Sequence, residues 1–475
     1  MKNAWQSKKV LSIMVCMIIL FSFAQQLAFS SDIQGEYPDS THFKSDSSSA
    51  MVPVLYGKRH HKNLTGSVVY VKGSSISSIE GSNRLNLLNG RVPGLSVLQG
   101  NGMPGHEDAR LFIRGRNGFG ISGSQALVLV DGFETDPLMI NPHDIESITV
   151  LKDAVSTAMY GMQATNGIIL IETRRGRSGD IRINMHSTAS MIQPLSPPEF
   201  LGAADYARLY NEAVSNEGGV GPYSDDDILH FENNSDELQY PDNNYWNDYF
   251  HSHTLQLRNT LDVSGGSEKA GFLFLASYLN NNGVFNTNPE ENPYSTNSNI
   301  TFTDIHANLN FNIGEKLKIN FDMRTKMNQE RYPGSYTGER IPELINILYD
   351  TPPLAYPIFN ADSSLGGTTD FRNNYYGELN RSGYSLLDRT YMLGILDFSY
   401  NLDDLVSGLK IIGRFGYRND NTHILNRPKS YAVFELTDEV DSITLEPIYN
   451  KIGENTAMQS ASIFSGNNRY YNGEL

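Results

Sequence analysis

Apolar and polar residues alternate one for one along much of the second half of the chain. The pattern is clearest at 305–313 and 317–324, two stretches separated by a Gly-Glu-Lys turn, each with one apolar and one polar, charged face. A period of two is the signature of a β-strand that meets different surroundings on its two faces. The same pattern predicts a second hairpin at 392–417 and single strands at 181–190, 254–264 and 271–280.

The length of these strands bears on the fold class. They are longer than the roughly 5–6 residues usual in globular sheets and close to the roughly 9–11 residues of a tilted transmembrane strand. A soluble β-sandwich with one wet face is the alternative. Short turns on one side and long loops on the other, such as 329–387, favour a β-barrel of the outer-membrane type.

Residues 83–176 have a different sequence pattern, in which short predicted strands alternate with turn segments rich in Gly and Asn. A helix is predicted at 82–90, and a second from Asp153, with Asp153 as its N-cap and Gly161 just beyond its C-terminus. This part is predicted to be a small α/β domain. Its strands are predicted at 67–71, 95–99, 108–115, 126–132 and 167–173.

The N-terminus carries three lysines followed by the uncharged apolar run 10–24. The run is shorter than the roughly 20 residues of a spanning helix, and its features are those of a cleaved signal peptide, predicted at 1–24. A polar, flexible lead-in is expected at 25–51. Cys16 is the chain's single cysteine and lies inside the signal peptide, so the exported protein is expected to lack disulfides and thiol chemistry.

The net charge and the residue motifs of the chain exclude several classes of function. The net charge of −16 makes nucleic acid a poor partner. The histidine pairs at 60–61 and at 251 and 253 stand near no further donors at metal-ligand spacing. No nucleophile with a recognisable base and no phosphate loop is present, so the sequence predicts no catalytic residue, no metal and no cofactor, and the chain is not expected to be an enzyme.

A set of short motifs in the α/β part carries a family resemblance. The segments GRVPGL at 90–95, IRG at 113–115, VDG at 130–132 and DIESITVLKDA at 144–154 are followed by YG at 160–161 and NG at 166–167. In this order they resemble the plug domain of the SusC/RagA type of TonB-dependent outer-membrane transporter, over residues 64–177. The residues carrying the motif, interpreted as structural, are Gly90, Arg91, Pro93, Gly94, Arg114, Gly115, Asp131, Gly132, Asp144, Glu146, Lys152, Asp153, Tyr160, Gly161, Asn166 and Gly167.

The resemblance implies a fold class: an α+β plug domain followed by the first strands of an antiparallel transmembrane β-barrel. The TonB-box-like segment and plug are predicted at 52–177 and a partial barrel at 178–475. A barrel of this family has about 22 strands around its plug, and the sequence predicts far fewer, so a fragment is expected. The residues of the TonB-box-like segment are Val52, Val54, Leu55 and Tyr56, although Pro53 departs from the family's run of valines.

The resemblance also implies function and partners. It implies import of an oligosaccharide or peptide across the outer membrane of a Gram-negative bacterium, energised by TonB and its inner-membrane complex. A SusD-like surface lipoprotein would capture the substrate, and outer-membrane lipid would surround the barrel. The alternative is a truncated or non-transporting receptor or interaction module built on a plug domain.

Two local interpretations concern individual side chains. In the block 144–154, Ile145, Ile148, Val150 and Leu151 are predicted to face a core, while Asp144, Glu146 and Lys152 form local ion pairs and caps that fix the framework.

The aromatic residues Tyr245, Trp246 and Tyr249 could contact a ligand, because flat amphipathic rings stack well on sugars and peptides. Interfacial or loop packing is the alternative for these rings.

Overall fold

The computed structural model describes residues 51–54, 57–60, 63–77, 86–100, 109–116, 125–135, 140–334, 340–440, 447–459 and 462–474. The predicted signal peptide and most of the lead-in therefore lie outside the described residues. Within the described part, no helix is both long and apolar enough to cross a membrane.

Residues 63–177, here called the N-terminal domain, are built on a five-stranded sheet of order β3-β8-β9-β6-β7. Its pairs are antiparallel except β6 with β9, which are parallel. A separate β4-β5 pair and a short hairpin β1-β2 complete the strands of this half. The strands are β1 (Met51–Val54), β2 (Gly57–His60), β3 (Val68–Lys72), β4 (Leu95–Gln99), β5 (Ala109–Ile113), β6 (Leu127–Val130), β7 (Phe133–Glu134), β8 (Ile145–Leu151) and β9 (Ile168–Thr173).

The core of this domain confirms the predicted inward positions of the 144–154 block. Ile145, Ile148, Val150 and Leu151 are all buried. Strand β8 was not predicted as a strand, although all five residues at 147–151 are buried. Its buried residues include the hydroxyl side chains of Ser147 and Thr149, so the strand is not a continuous apolar run.

The glycines of the motif lie at turns that only glycine adopts easily. Gly132, Gly161 and Gly167 have φ of 92°, 61° and 90°. At Gly167 a Cβ would also lie 2.7 Å from Ile113 Cδ1, so this turn packs directly against β5. The predicted N-cap is confirmed: the Asp153 side chain accepts a hydrogen bond from the Ser156 amide.

The predicted helices of the N-terminal domain are shorter than expected. From Asp153 onward only Ala154–Thr157 is α-helical, and the chain continues as 3₁₀ turns over Ala158–Ala164 that are interrupted at Gly161. Of the predicted helix 82–90, the described residues contain a 3₁₀ turn at Asn86–Leu88. The helices of this half are α1 (Ser74–Ser77) and α2 (Ala154–Thr157).

The second half forms one eight-stranded antiparallel sheet of order β10-β11-β12-β13-β14-β15-β16-β19, and β17 pairs with β18 in a separate hairpin. The predicted fold class, a plug-like α+β domain followed by an open antiparallel sheet of barrel strands, is thus confirmed. The strands are β10 (Gly179–Ile192), β11 (Thr254–Gly266), β12 (Ala270–Asn281), β13 (Asn299–Ile313), β14 (Leu317–Pro333), β15 (Gly383–Asn401), β16 (Lys410–Pro428), β17 (Val433–Val440), β18 (Pro447–Ile452) and β19 (Ser462–Glu474).

The two faces of this sheet have the reverse of the usual polarity. On β13 and β14 the polar side chains point inward and are buried, while the apolar ones are exposed: Asn308 is 0% exposed and its neighbour Leu309 is 39% exposed. Phe321, which pairs with Leu309 across the strands, is also exposed. A soluble sandwich would bury the apolar faces against each other. The inverted distribution is that of a barrel wall with apolar residues outward and polar residues inward, and it removes the sandwich alternative.

Helices fill the long connections at one end of the sheet. Trp246, Phe250, Phe285 and Tyr375 are among the aromatic rings packed there against the aliphatic face of a helix. These helices were not predicted from the sequence, although Ile341, Leu344 and Leu348 recur at helical spacing and are buried together. They are α3 (Ala203–Asn216), α4 (Asp225–Asn233), α5 (Tyr245–Tyr249), α6 (Arg340–Asp350) and α7 (Tyr375–Asn380).

Candidate functional site

The N-terminal domain meets the polar inner face of the sheet through a buried cluster of ionisable side chains, here called the interface cluster. Asp131 follows β6, Asp144 precedes β8 and Thr173 ends β9, so all three come from the same end of the domain's sheet. The two residues facing them most directly are His306 of β13 and Arg324 of β14, which pair across those strands.

Arg324 is the central cation of the interface cluster. Its Nη2 donates to the carboxylate of Asp131 and, at 2.5 Å, to Thr173 Oγ1. The same nitrogen lies 2.7 Å from Asp322 Oδ1 on its own strand, and Nε lies 3.8 Å from Asp144 Oδ2. A single guanidinium therefore joins the two aspartates of the N-terminal domain to the sheet.

His306 forms the second bridge. Its Nδ1 lies 2.6 Å from Asp144 Oδ1 and its Nε2 lies 2.9 Å from Asp322 Oδ2. A neutral imidazole carries one donor, whereas the imidazolium carries two. Because both ring nitrogens face carboxylates, this geometry is that of an imidazolium clamped between the domain and the sheet.

Asp131 has an unusual backbone conformation and a lowered pKa. Its φ is 48°, in the left-handed region, which Asp tolerates better than most residues. Burial by itself raises the pKa of the Asp131 carboxyl, but the guanidinium groups of Arg324 and Arg175 and the hydrogen bond from Thr173 Oγ1 outweigh burial and hold this pKa well below its usual range. The carboxylate is thus ionised throughout the physiological range.

A further ion pair holds the linker between the domain and the sheet. Arg174 donates from both terminal nitrogens to the two carboxylate oxygens of Asp262, each at 3.1 Å, which is the bidentate geometry preferred by guanidinium. Burial lowers the pKa of Arg174, but the contacts with Asp262 outweigh burial and raise it overall. Asn310 extends the contact by donating to the backbone oxygen of Gly176.

Comparison with known proteins agrees with the motifs and the fold. Residues 60–168 match the family model described as the TonB-dependent Receptor Plug Domain. TonB-dependent receptor P3 of Formosa agariphila is 27% identical over 384 residues, which cover 79% of this chain and 34% of that relative. TonB-dependent receptor SusC of Bacteroides thetaiotaomicron is 25% identical over 279 residues, covering 56% and 26% of the two chains. These matches make the chain similar to SusC/RagA-like TonB-dependent receptors, and residues 60–168 match their plug domain.

The N-terminal domain is accordingly called the plug from here on. Among solved structures, the RagAB peptide importer in its open-open state shares the fold with a TM-score of 0.55 at 16% identity, over 89% of this chain and 54% of that one. The structure of the RagAB peptide transporter gives a TM-score of 0.54. The chain spans about a third of the length of the curated receptors it matches.

The structure corrects the predicted role of Asp144. Its partners His306 and Arg324 lie on strands β13 and β14, and the first is 162 positions away in sequence, so the expected local ion pair or cap is wrong for this residue. Glu146 pairs with Arg177 at 2.6 Å on the surface. Lys152 donates to the backbone oxygen of Pro93 at 2.7 Å, which joins two of the plug's motifs.

The other motif residues lie in the plug but outside the interface cluster. Arg91 donates to the backbone oxygen of Ser75. Tyr160 packs against the apolar residues around Leu129. Positive φ values are found at Gly90, Gly94, Arg114 and Gly115, and Asn166 lies in the turn that ends at Gly167. Their assignment as structural framework stays a prediction.

The TonB-box-like segment is folded in the described residues. Met51–Val54 pairs antiparallel with Gly57–His60, and the side chain of Val52 is buried. Lys58 lies 2.9 Å from Glu172, which fastens the hairpin to the plug. Leu55 and Tyr56 lie outside the described residues, and the role of this segment in binding TonB stays a prediction.

The three aromatic residues predicted to contact a ligand have two different environments. Tyr245 and Tyr249 are only 4% and 9% exposed, so burial against Tyr375 and its neighbours gives these two rings a packing role in place of the predicted ligand contact. Trp246 is half-buried and stacks on Phe250 with ring centroids 4.3 Å apart. Ligand contact by Trp246 stays a prediction.

Sequence reasoning missed the interface cluster itself. His306, Asp322 and Arg324 were assigned to the polar face of a hairpin, with no partner specified. The sequence carries one signal of this cluster. Ionisable side chains recur at alternate positions of β13 and β14, more densely than a solvent-exposed strand face requires. The described residues hold no group of three or more His, Cys, Asp or Glu side chains that could bind a metal ion.

Proposed function

We propose that the chain belongs to a TonB-dependent importer of the outer membrane of a Gram-negative bacterium. The observation that carries the proposal is the reversed polarity of the eight-stranded sheet, with polar side chains turned inward onto a plug through a buried ionic cluster. A receptor that bound its ligand on outer loops alone would have no use for a plug held inside a polar wall.

The interface cluster suggests how the plug is retained until it is pulled. Removing one partner of a buried ion pair costs roughly 3–5 kcal/mol, because an uncompensated charge is left behind. The contacts of Arg324 and His306 therefore resist displacement of the plug by thermal motion. Energy delivered through TonB to the N-terminal segment is the proposed means of overcoming them.

The cargo is proposed to be an oligosaccharide or a peptide. One structural neighbour is the RagAB peptide importer, which supports a peptide, whereas an oligosaccharide is what the family resemblance of the motifs implies. A SusD-like surface lipoprotein is the proposed partner on the outer side, and TonB with its inner-membrane complex the partner on the inner side. These relatives are receptors and transporters, which supports a role other than catalysis.

Uptake measurements test this proposal. Cells carrying the intact gene, a deletion of it, and a variant lacking residues 52–57 would be given a panel of fluorescent oligosaccharides and peptides. We expect uptake of one class to require the gene, residues 52–57 and TonB, whereas surface binding of that class survives loss of residues 52–57. Uptake unaffected by the gene deletion, or binding with no uptake in any strain, would contradict import and favour the non-transporting receptor.

A further inference from the structure

The tip of the β6–β7 hairpin of the plug contacts three neighbouring wall strands. β6 and β7 are joined by the two-residue turn Asp131-Gly132, and Val130 lies opposite Phe133. Both turn residues have positive φ, 48° and 92°, as a type I′ turn requires. Because this turn is tight, Asp131 and Phe133 belong to one stiff unit.

Phe133 occupies an apolar socket in the inner face of the wall. Its side chain is 7% exposed and is buried in one cluster with Tyr391, Leu393 and Ile395 of β15. Gly416 of β16 lies opposite Ile395, and a Cβ at Gly416 would overlap the Phe133 ring. The socket therefore has room for the phenyl ring only because residue 416 lacks a side chain.

Polar side chains of the wall surround this socket. The guanidinium carbon of Arg414 lies 5.9 Å from the centroid of the Phe133 ring, within the range of a cation–π contact. Arg418 Nη1 donates to the backbone oxygen of Glu134 at 2.7 Å. Thr135 Oγ1 accepts a hydrogen bond from a tyrosine hydroxyl of β15 at 3.4 Å. Three consecutive residues of the plug are thus held against β15 and β16.

The socket and the interface cluster hold two sides of the same hairpin. Arg324 of β14 binds the carboxylate of Asp131. Leu393, which belongs to the socket, lies directly opposite Arg324 on the next strand. Only Gly132 separates Asp131 from Phe133 along the chain, so a ring displaced from the socket would carry the carboxylate away from Arg324.

We propose that Phe133 is a positioning residue of the interface cluster: its seat in the socket sets the place at which the Asp131 carboxylate meets Arg324. A ring that only added buried apolar area would have no effect on that ion pair. The proposal concerns how the plug is attached to the wall. It goes beyond the proposed import function and does not depend on it.

Two glycine-to-alanine variants of β16 give a matched comparison. Gly416→Ala places a methyl group against the Phe133 ring, whereas Gly413→Ala places one against the ring of Phe398, which lies opposite Gly413 and is 38% exposed. Both variants add the same group to the same strand, and only the first disturbs the socket. Adding Phe133→Leu to Gly416→Ala should restore the fit, because the smaller side chain leaves room for the methyl group.

Hydrogen exchange in the full-length protein measures opening of the plug. We expect Gly416→Ala to accelerate exchange in β6, β8 and β9 by about 5- to 100-fold, the range for an overpacked core. Gly413→Ala should stay within about twofold of wild type. Adding Phe133→Leu to Gly416→Ala should return most of the protection. If Gly416→Ala does not fold, Phe133→Ala, which empties the socket without a clash, takes its place.

A double-mutant comparison tests whether the socket acts through Asp131. Asp131→Asn already breaks the ion pair with Arg324, so adding Gly416→Ala to it should accelerate exchange far less than Gly416→Ala does alone. Two purely structural contacts would instead have effects that multiply.

A pH profile gives a second readout that packing alone would not change. The charged groups nearest the Asp131 carboxyl are Arg324 and Asp322 of β14 and Arg175 of the linker. A carboxylate displaced from Arg324 no longer contributes stability that acid removes. The fall in the urea midpoint from pH 6 to pH 3 should therefore be as small in Gly416→Ala as in Asp131→Asn, whereas Gly413→Ala should keep the wild-type fall.

Two sets of results would overturn the proposal. Multiplying effects of Gly416→Ala and Asp131→Asn, or a wild-type pH profile in Gly416→Ala, would show that Phe133 does not position the carboxylate. Equal effects of the two glycine variants, or no recovery with Phe133→Leu, would show that the socket does not hold the ring. The measurements involve neither TonB nor a cargo, so their failure is distinguishable from failure of the import proposal.

Discussion

Replacing Asp131 by Asn tests whether the interface cluster fastens the plug. Asn is close to Asp in shape and also tolerates the left-handed conformation that residue 131 adopts, so the backbone should be retained. The substitution removes the negative charge that faces Arg324 and replaces one of two acceptor oxygens with a donor. Thr173 then loses an acceptor for either its amide or its hydroxyl hydrogen.

The size of the effect follows from these contacts. Hydrogen bonds to charged groups contribute about 1.5–3 kcal/mol each, and Arg324 keeps its contact with Asp322, so the net loss should lie near that of one such bond. Every 1.4 kcal/mol is about tenfold in an equilibrium constant. The population of locally opened plug should therefore rise by about 10- to 100-fold.

Hydrogen exchange followed by mass spectrometry measures this opening in the full-length protein. We expect faster exchange in peptides covering β6, β8 and β9, with exchange in the wall strands unchanged. The control is Arg177→Gln, which removes the exposed pair with Glu146 and should cost under about 1 kcal/mol. If Asp131→Asn accelerates exchange no more than Arg177→Gln does, the cluster does not fasten the plug. Arg324→Gln, alone and combined with Asp131→Asn, would give the coupling between the two charges.

Three further outcomes are expected. Because the pKa of Asp131 is held below its usual range, the stability it contributes is present above about pH 4 and is lost as the pH falls further, so the urea midpoint of wild type should drop between pH 6 and pH 3 more than that of Asp131→Asn. Asp153→Ala removes the cap of α2 and the acceptor of the Ser67 amide and should lower plug stability by about 1 kcal/mol in urea titration. Gly167→Ala forces a side chain onto φ of 90° and against Ile113, and should cost about 1–3 kcal/mol, seen as a lower thermal midpoint; an unchanged midpoint would show that the turn can relax.

Local patterns were sufficient to predict most of the strands. Strands 95–99 and 168–173 and the wall hairpins were recognisable because alternation, short apolar runs and turn residues are properties of a few neighbours. The wall strands proved longer than predicted, since Asn299–Ile313 and Leu317–Pro333 continue beyond their apolar stretches. Strand β8 was not predicted, because Ser147 and Thr149 interrupt its apolar residues although both are buried.

The contacts of the candidate site could not be predicted in the same way. Asp131 meets Arg324 across 193 positions, and no local rule selects that partner from the other basic residues of the chain. The same holds for Tyr245, whose burial depends on Tyr356 and Tyr375 from a distant connection. The sequence alone therefore identifies the regions that hold these polar and aromatic residues. The role of each residue depends on its contacts in the tertiary fold.

Side chains of the wall strands alternate strictly between inward and outward positions. The fold therefore tolerates insertions and deletions within those strands poorly. Inserting a single codon within β14 ahead of residue 324 would exchange the faces of the residues beyond it, carrying Arg324 to the outside and an apolar neighbour to Asp144. Two inserted codons would restore the parity, and the connection between α6 and α7 should accept longer additions. Length variation among relatives is therefore expected to accumulate in the connections and to avoid the strands.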